Sequence, residues 1–330
     1  MRRRDFVRGV SLAAAGPWLG IGEAAAAEGA PEITTVRLAK SPAICFAPIY
    51  IAENLLQAEG FATVRWAQAP VNAYDKLVSG EADFGATDVG TFIRLADAGH
   101  PVVALTGLHV GCYELFGTDP IRTVRDLKGK TVAVTGLQSG RHLFVSVMAA
   151  YVGLDPRKDI RFVERSGTES IRLLAEGKVD AFIGFPPEPQ ELRAKKIGRL
   201  IVSTTFDRPW SQYFCCFLLG RRDFVQKYPV ATRRAIRAIL KGNAVCSLEP
   251  ERVARELVDR RFTTAAYDYA AQTIREMPYG KWREQDPEDS IRFHAVRLHE
   301  VGMVKSTPQK IIGQSTDWRF LKELKKELKG

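Results

Sequence analysis

The chain has 330 residues, of which 45% are hydrophobic and 26% charged, a composition typical of a folded globular protein of about two domains. No stretch reaches the roughly 20 consecutive apolar residues that a membrane-spanning helix needs. Lysine and arginine exceed aspartate and glutamate by 48 to 38. The basic residues are scattered and not interleaved with aromatic residues, so we expect no nucleic-acid partner; the charge favours anionic ligands or anionic lipid surfaces.

The first 27 residues have the features of an export signal. Arg3, Arg4 and Phe6 resemble the twin-arginine motif, and the alanine-rich stretch that ends near Ala27 fits a small-residue cleavage site. An ordinary signal peptide and an amphipathic start are the alternatives. Cleavage would remove four arginines and two acidic residues and leave a net charge of +8. No cysteine follows the cleavage region, so we expect no lipid anchor there.

A helix-to-strand junction occurs twice in the chain. The pattern Leu-x-x-Gly-x-x-Asp of residues 77–83 recurs at residues 174–180, which is 97 residues later. In each copy we expect the leucine to pack the last helical turn and the glycine to end the helix in the left-handed conformation. The aspartate then comes just before a strand.

Further landmarks keep nearly the same offset, so the sequence predicts two tandem β-α-β-α-β units. Strands that alternate with helices indicate an α/β fold in which each unit is a mainly parallel sheet flanked by helices. Two such units predict two lobes with a ligand cleft between them. The predicted strands of the first unit lie at or from residues 36, 64–66 and 101–108, and those of the second at or from 132, 160–162 and 198–205.

Ligands bind beyond the carboxyl ends of the strands in such sheets. This rule selects five candidate ligand-binding segments, which are 41–46, 88–91, 109–114, 138–142 and 185–189.

An apolar strand at 213–220 is expected to return the chain to the first lobe. From about residue 221 the apolar spacing is helical. Asp289 and Ser290 are expected to cap a helix that Gly302 ends.

The five cysteines are an odd number, so at least one thiol is unpaired or bonded to another chain. Cys215 and Cys216 are adjacent and point to opposite faces of a strand, which argues against a bond between them. No Cys-x-x-Cys or Cys/His spacing suggests a metal site, and none is predicted.

The turn at 135–142 is the strongest single candidate for ligand binding in the second lobe. It is a glycine-containing passage from a strand to a helix, where free backbone N–H groups attract anions. Gln138, Ser139, Arg141 and His142 are predicted to contact the ligand; the alternative is a plain helix cap with Arg141 facing outward. Glu188 is predicted to meet a ligand donor or cation, or else to be a carboxylate of a first helical turn.

The first lobe and the crossing segments contribute further candidates. Cys45 and Phe46 are predicted to face the cleft, with core packing as the alternative. Asp88 would line the cleft floor or merely cap the next helix. The aromatic residues suggest a ligand with a flat or apolar body and polar ends. The remaining predicted ligand-binding residues are Val89, Cys112, Tyr113, Trp210 and Tyr213, of which the last two pack at the hinge in the alternative interpretation.

These patterns resemble a known family. The segment LVSGEADFGATD, together with LKGKTVAVTGLQSGRH and GKVDAFIGFPPEPQELRAK, is similar to periplasmic substrate-binding proteins of nitrate, sulfonate and taurine ABC importers. The resemblance covers residues 33–330. It implies a two-lobe periplasmic-binding-protein type II fold with crossings near 115–120 and 208–220. Lobe 1 would comprise 33–117 and 218–330, and lobe 2 residues 118–217.

The resemblance also implies a function. The protein would capture a small organic solute in the periplasm by lobe closure and deliver it to an ABC transporter permease in the inner membrane. It would act as a monomer, without catalytic residues or a cofactor. The related pyrimidine synthases of thiamine biosynthesis carry a cysteine-rich stretch, which residues 215–217 match only in part. An enzyme of that kind and a solute-sensing module are the two alternatives.

Overall fold

The structure of the chain is a computed structural model that describes residues 28–69 and 72–328. The predicted export signal, residues 1–27, lies outside the described residues. The described residues from Pro31 onward form one compact unit. The strands are β1 Thr35–Lys40, β2 Thr63–Gln68, β3 Phe84–Asp88, β4 Val102–Val110, β5 Glu114–Gly117, β6 Lys130–Val134, β7 Ile160–Glu164, β8 Ala181–Gly184, β9 Arg199–Ser203 and β10 Phe214–Arg221.

Helices connect the strands and make up nearly all of the C-terminal third. Short 3-10 helices occupy Ile44–Phe46, Val124–Leu127, Trp210–Gln212 and Tyr279–Arg283. The α-helices are α1 Ala47–Tyr50, α2 Glu53–Ala58, α3 Tyr74–Val78, α4 Val89–Asp97, α5 Gly140–Tyr151, α6 Pro156–Asp159, α7 Gly167–Ala175, α8 Glu188–Lys195, α9 Arg222–Lys227, α10 Pro229–Leu248, α11 Pro250–Asp259, α12 Tyr267–Glu276, α13 Pro287–Glu300, α14 Pro308–Ser315 and α15 Arg319–Glu327.

The strands form two separate five-stranded sheets, as the duplicated pattern predicts. Their orders are β2-β1-β3-β10-β4 and β7-β6-β8-β5-β9. In each sheet one strand runs antiparallel to its neighbours, β10 in the first and β5 in the second. Each of these strands follows a strand of the other sheet, so the chain crosses twice between the two halves.

The repeated glycines end helices in both halves, as predicted. Gly80 has a φ of 78° and Gly177 a φ of 66°. This left-handed conformation lets the backbone leave the helix and enter the following strand. Residues that carry a side chain rarely adopt it.

The repeated aspartates join the junction to the first strand of each unit. The carboxylate of Asp83 accepts the backbone N–H of Arg37 on β1 at 2.9 Å. The carboxylate of Asp180 accepts the backbone N–H of Thr131 on β6 at 2.8 Å. Each aspartate also donates its own N–H to the carbonyl oxygen of the same partner. The aspartate therefore sets the register at which β3 and β8 enter their sheets.

The first crossing comes earlier than predicted. Residues 114–117 are β5, which pairs with β8 and β9 of the second sheet, so the chain leaves the first sheet at 111–113 and not near 115–120. The return at 204–213 overlaps the predicted crossing, and β10 carries the chain back as expected. The predicted lobe boundaries at 117/118 and 217/218 stay a prediction.

The C-terminal third is helical, as its apolar spacing predicts. One expected cap is wrong: Asp286, not Asp289 or Ser290, caps α13, and its carboxylate accepts the backbone N–H of Glu288 at 2.8 Å. The helix ends just before Gly302, as predicted. Within the part of the chain that the structure describes, no helix combines the length and apolar character needed to span a membrane.

Candidate functional site

A cavity of about 540 Å³ lies where the carboxyl ends of strands from both sheets come together. All five candidate segments contribute at least one residue to its wall. The first sheet, with its loops and helices, supplies Ser41, Ala43, Phe46, Asn72, Ala73, Tyr74, Ala86, Thr87, Asp88, Thr91 and Arg94. The crossing and the second sheet supply Tyr113, Thr135, Leu137, Gln138, Ser139, Gly140, Arg141 and Phe185.

Two helices of eight or more residues begin at this cavity, one from each half. The Asp88 carboxylate caps α4 and accepts the backbone N–H of Thr91 at 2.9 Å and its hydroxyl at 2.8 Å. The Ser139 hydroxyl caps α5 and accepts the backbone N–H of His142 at 3.4 Å. The positive ends of both helix dipoles therefore point at the same space, which favours negative charge there.

The two helix starts approach each other closely at Gly140. A Cβ atom at this position would lie 2.3 Å from Asp88 Oδ2 and 2.7 Å from the hydroxyl oxygen of Tyr113. Only glycine fits there without a shift of those side chains. The first residue of α5 thus touches a carboxyl group that belongs to the first sheet.

Burial changes the acidity of groups in the cavity wall. It raises the pKa of Asp88, although the hydrogen bonds from Thr91 oppose the rise. Burial, and then the charge of Asp88, raises the pKa of Tyr113 well above its ordinary value. The phenol of Tyr113 therefore stays a neutral donor, and Asp88 holds its proton more readily than an exposed aspartate.

Arg141 lines the cavity, but Glu188 neutralises its positive charge. Its guanidinium forms an ion pair with Glu188, with 3.0 Å between Nη2 and Oε1, and donates to the carbonyl oxygen of Ile183 at 2.8 Å. Glu188 also accepts the backbone N–H of Phe185 at 3.0 Å. Glu188 therefore positions Arg141 and does not itself line the cavity.

Arg94 is the cation that the sequence reasoning missed. It lies on α4, six residues after Asp88, and its Nη2 donates to the Tyr74 hydroxyl at 3.2 Å. Its Nε is buried and has no hydrogen-bond partner among the described residues. The signal that could have revealed it is its position one and a half turns into the helix that Asp88 begins.

Six of the predicted ligand-binding residues line the cavity, and their contact with a ligand stays a prediction. They are Phe46, Asp88, Tyr113, Gln138, Ser139 and Arg141. Seven others do not line it. Two of these are Cys45 and Cys112, which are buried beside the lining residues Phe46 and Tyr113. A third is Val89, which is buried in the main hydrophobic core.

The other residues outside the lining have packing partners of their own. The Nδ1 of His142 accepts the backbone N–H of Gln138 at 3.0 Å. The ring of Tyr213 stacks on Phe293 with 3.9 Å between centroids. Trp210 meets the same ring edge-on at 5.7 Å. Tyr213 and Trp210 therefore pack at the crossing because the ring of Phe293, from a helix distant in sequence, lies against them. Glu188 is the seventh predicted residue outside the cavity lining, and its partner is Arg141.

The two sheets, with the cavity at their strand ends, define a two-lobe α/β architecture, and solved structures share this fold. The periplasmic nitrate-binding protein NrtA from Synechocystis PCC 6803 superposes with a TM-score of 0.76 over 91% of this chain and 90% of its own, at 15% identity. The alkanesulfonate-binding protein SsuA from Xanthomonas axonopodis pv. citri, bound to MOPS, has a TM-score of 0.69 over 88% of this chain and 100% of its own, at 17% identity. These likenesses show the periplasmic-binding-protein fold.

The chain belongs to the NMT1/THI5-like family, whose family model matches residues 45–253. The bicarbonate-binding protein CmpA of Synechococcus elongatus is 28% identical over 112 residues, which are 33% of this chain and 24% of that protein. The 4-amino-5-hydroxymethyl-2-methylpyrimidine phosphate synthase THI5 of Saccharomyces cerevisiae is 25% identical over 205 residues, 58% of this chain and 59% of the synthase. The chain thus spans about a quarter of the length of the first relative and three fifths of the second.

Proposed function

We propose that the chain is the solute-binding component of an ABC importer and holds a small organic solute between its lobes. The observation that carries this proposal is the cavity itself, because its wall combines the carboxyl ends of strands from both sheets. A solute held there contacts both lobes, and binding then shifts the population toward a closed state. The protein works as a monomer in the periplasm, after export by the twin-arginine route, and passes its solute to an inner-membrane permease.

The solute is an anion with a compact organic body. Arg94 offers a buried N–H without a described partner, and two helix N-termini point into the cavity. The Asp88 carboxyl, with its raised pKa, can donate a hydrogen bond to an anionic oxygen when it is protonated. Rings of Phe46, Tyr74 and Phe185 provide the apolar wall. Three similar proteins are named as binding nitrate, alkanesulfonate and bicarbonate, and these names support this choice of ligand class.

A pyrimidine synthase-like enzyme is the second candidate, because the yeast synthases align over more than half of the chain. An enzyme of that kind would need a reactive histidine and lysine at its site. The described lining residues instead provide hydroxyl, amide, carboxyl and guanidinium groups, which suit reversible binding. This difference favours transport. A solute-sensing role would use the same binding site and differ only in the membrane partner.

A thermal-shift screen with native mass spectrometry tests the function. The panel contains nitrate, bicarbonate, alkanesulfonates, small aromatic carboxylates and pyrimidines. We expect one anion to bind with a stoichiometry of one and to stabilise the protein by about 2.7 kcal/mol when present at about 100 times its dissociation constant. Recovery of the solute unchanged after incubation supports binding. Conversion of a pyrimidine precursor, or binding of cations alone, would contradict the proposal.

Replacing Arg94 with glutamine is expected to weaken binding of that anion about tenfold to hundredfold, measured by isothermal titration calorimetry. The reason is the loss of a charge-assisted hydrogen bond, worth about 1.5–3 kcal/mol. Arg125→Gln, at an exposed arginine outside the cavity lining, is the matched control and should bind as the wild type does. Equal dissociation constants for Arg94→Gln and wild type would remove Arg94 from the site.

A further inference from the structure

Four side chains that the sequence keeps far apart meet behind the cavity floor. The thiols of Cys45, Cys112 and Cys216 and one imidazole nitrogen of His109 all lie within 4.8 Å of one another. All four residues are buried, and none is more than 3% exposed. The spacing argument missed this cluster because its members come from separate segments of the chain.

The first sheet assembles the cluster. Cys45 lies in the 3-10 helix after β1, while His109 is near the end of β4 and Cys112 follows that strand. Pairing of β10 with β4 places Cys216 opposite His109. The four donors therefore sit on the strands and turns that a folded first sheet fixes, not on mobile loops.

The donor set matches that of a closed structural zinc site. Three thiolates and one imidazole arranged as a tetrahedron are a common zinc shell, with Zn–S distances of about 2.3 Å and Zn–N distances of about 2.0 Å. For a tetrahedron these bond lengths imply donor separations of about 3.5–3.8 Å. The largest separation of 4.8 Å would need an inward movement of about 1 Å, which side-chain rotation can supply.

His109 is poised to act as a ligand. It is completely buried, and its Nε2 has no hydrogen-bond partner among the described residues. Its Nδ1 lies 3.4 Å from the carbonyl oxygen of Val110, and its ring meets Tyr279 edge-on. The hydroxyl of Tyr279 in turn donates to the carbonyl oxygen of Cys45 at 3.2 Å. Such outer contacts orient ligands in metal sites.

The backbone at the third ligand is strained. Cys112 has a φ of 129°, a region that residues with a side chain rarely adopt. The preceding Gly111 has no room for a Cβ atom, which would lie 2.3 Å from the hydroxyl oxygen of Thr205. Strain of this kind persists where the surroundings hold a functional side chain in place.

We propose that Cys45, His109, Cys112 and Cys216 bind one zinc ion in a buried, four-coordinate site that fixes the cavity floor. Two ligands immediately precede the lining residues Phe46 and Tyr113, and Cys216 pairs across the sheet with Asp88. The ion therefore ties together three parts of the cavity wall and the first crossing. The role of the zinc ion is structural and separate from solute recognition. The proposal therefore applies whether the protein transports, senses or transforms its solute.

Metal titration of the reduced, full-length protein tests the site. Co²⁺ serves as the spectroscopic probe, because tetrahedral thiolate coordination gives intense charge-transfer and d–d absorption. We expect one Co²⁺ per chain, displaced by one Zn²⁺, and a higher melting temperature for the zinc-loaded than for the metal-free protein. These wild-type measurements do not depend on how any variant folds. Absence of saturable binding to the reduced wild type would overturn the proposal.

Variants then identify the ligands. Cys45→Ser and Cys216→Ser are expected to lose the absorption bands and to bind zinc more than about a hundredfold more weakly, beyond the loss typical of outer-shell changes. Cys246→Ser is the matched control, because Cys246 is also buried but lies outside the cluster; it should retain both. Equal loss in all three variants would contradict the assignment. So would a disulfide between Cys112 and Cys215, whose sulfur atoms are 2.8 Å apart, detected as a mass loss in protein purified without a reductant.

Discussion

The free energy of unfolding is expected to fall by about 3 kcal/mol for each of two buried histidines as the pH decreases from about 7 to about 4. The residues are His142 and His294. Burial lowers the pKa of both imidazoles from 6.5 to about 4. The charge of Glu164 partly opposes this effect at His142, and a hydrogen bond to the carbonyl oxygen of Ser290 does so at His294.

The sign follows from proton binding by the two states. In the unfolded chain a histidine takes up a proton near pH 6.5, whereas in the folded protein both imidazoles stay neutral down to about pH 4. The unfolded state therefore binds more protons between these values, and stability decreases as the pH falls through this window. From about one pH unit above 6.5 the two residues contribute almost no pH dependence, and below about pH 4 their effect levels off.

Protonation of His142 should also disturb the solute cavity. Its Nδ1 accepts a hydrogen bond from the backbone N–H of Gln138, and a protonated imidazole has no acceptor. Gln138 lines the cavity and has a φ of 67°, an uncommon conformation that this hydrogen bond helps to hold. We therefore expect the affinity for the solute to decrease only near pH 4 and below, where the folded protein itself protonates His142.

Urea unfolding at a series of pH values measures the effect. His294→Gln removes one of the two titrating groups, so the decrease in unfolding free energy between about pH 7 and about pH 4 should be roughly halved relative to the wild type. Comparison of the slopes within each protein cancels any constant loss of packing in the variant. An unchanged slope would show that His294 binds its proton equally well in both states.

The duplicated architecture could be predicted from the sequence because its signals are local. A helix that ends in a left-handed glycine and a buried strand that follows are written within a few residues, at 77–83 and again at 174–180. Strand β5 could not be found in this way. It has only four residues, and its place between β8 and β9 depends on partners more than 60 residues away.

The position of the cavity was predictable, but the direction of each side chain was not. The carboxyl ends of strands identify the loops that face a cleft, and these loops do line the cavity. Cys45 and Phe46 are neighbours in one 3-10 helix, yet only Phe46 lines the cavity, while Cys45 joins the cluster with His109. Which neighbour faces which side depends on the packing of β4 and β10 behind them, which no local pattern records.

Replacing Arg237 with methionine is expected to lower the free energy of unfolding by about 3–5 kcal/mol, because it breaks a buried ion pair and leaves one partner charged. Glu59 and Arg237 have side chains that are 7% and 5% exposed. The Glu59 carboxylate accepts Nη2 of Arg237 at 2.6 Å and Nζ of Lys241 at 2.9 Å. Arg237 also pairs with Glu327 at 3.1 Å, so it joins α10 to both α2 and α15.

The remaining charge explains the size of the effect. Burial alone would raise the pKa of Glu59, but the hydrogen bonds from Arg237 and Lys241 lower it below its ordinary value. Without Arg237, the buried Glu59 carboxylate keeps its ion pair with Lys241, whose side chain is 45% exposed and can give it only partial compensation. Adding Glu59→Leu to Arg237→Met removes the uncompensated charge, so the double variant should recover much of the loss.

Chemical denaturation of the single, double and control variants measures these differences. Arg252→Met is the matched control: Arg252 pairs with Glu249 on the surface, where the two side chains are 52% and 50% exposed. An exposed pair contributes about 0–1 kcal/mol, so this variant should unfold almost as the wild type does. Equal losses for Arg237→Met and Arg252→Met would contradict the argument from burial. Solute affinity should be unchanged in both variants, because neither arginine lines the cavity, and the effect is therefore one of stability alone.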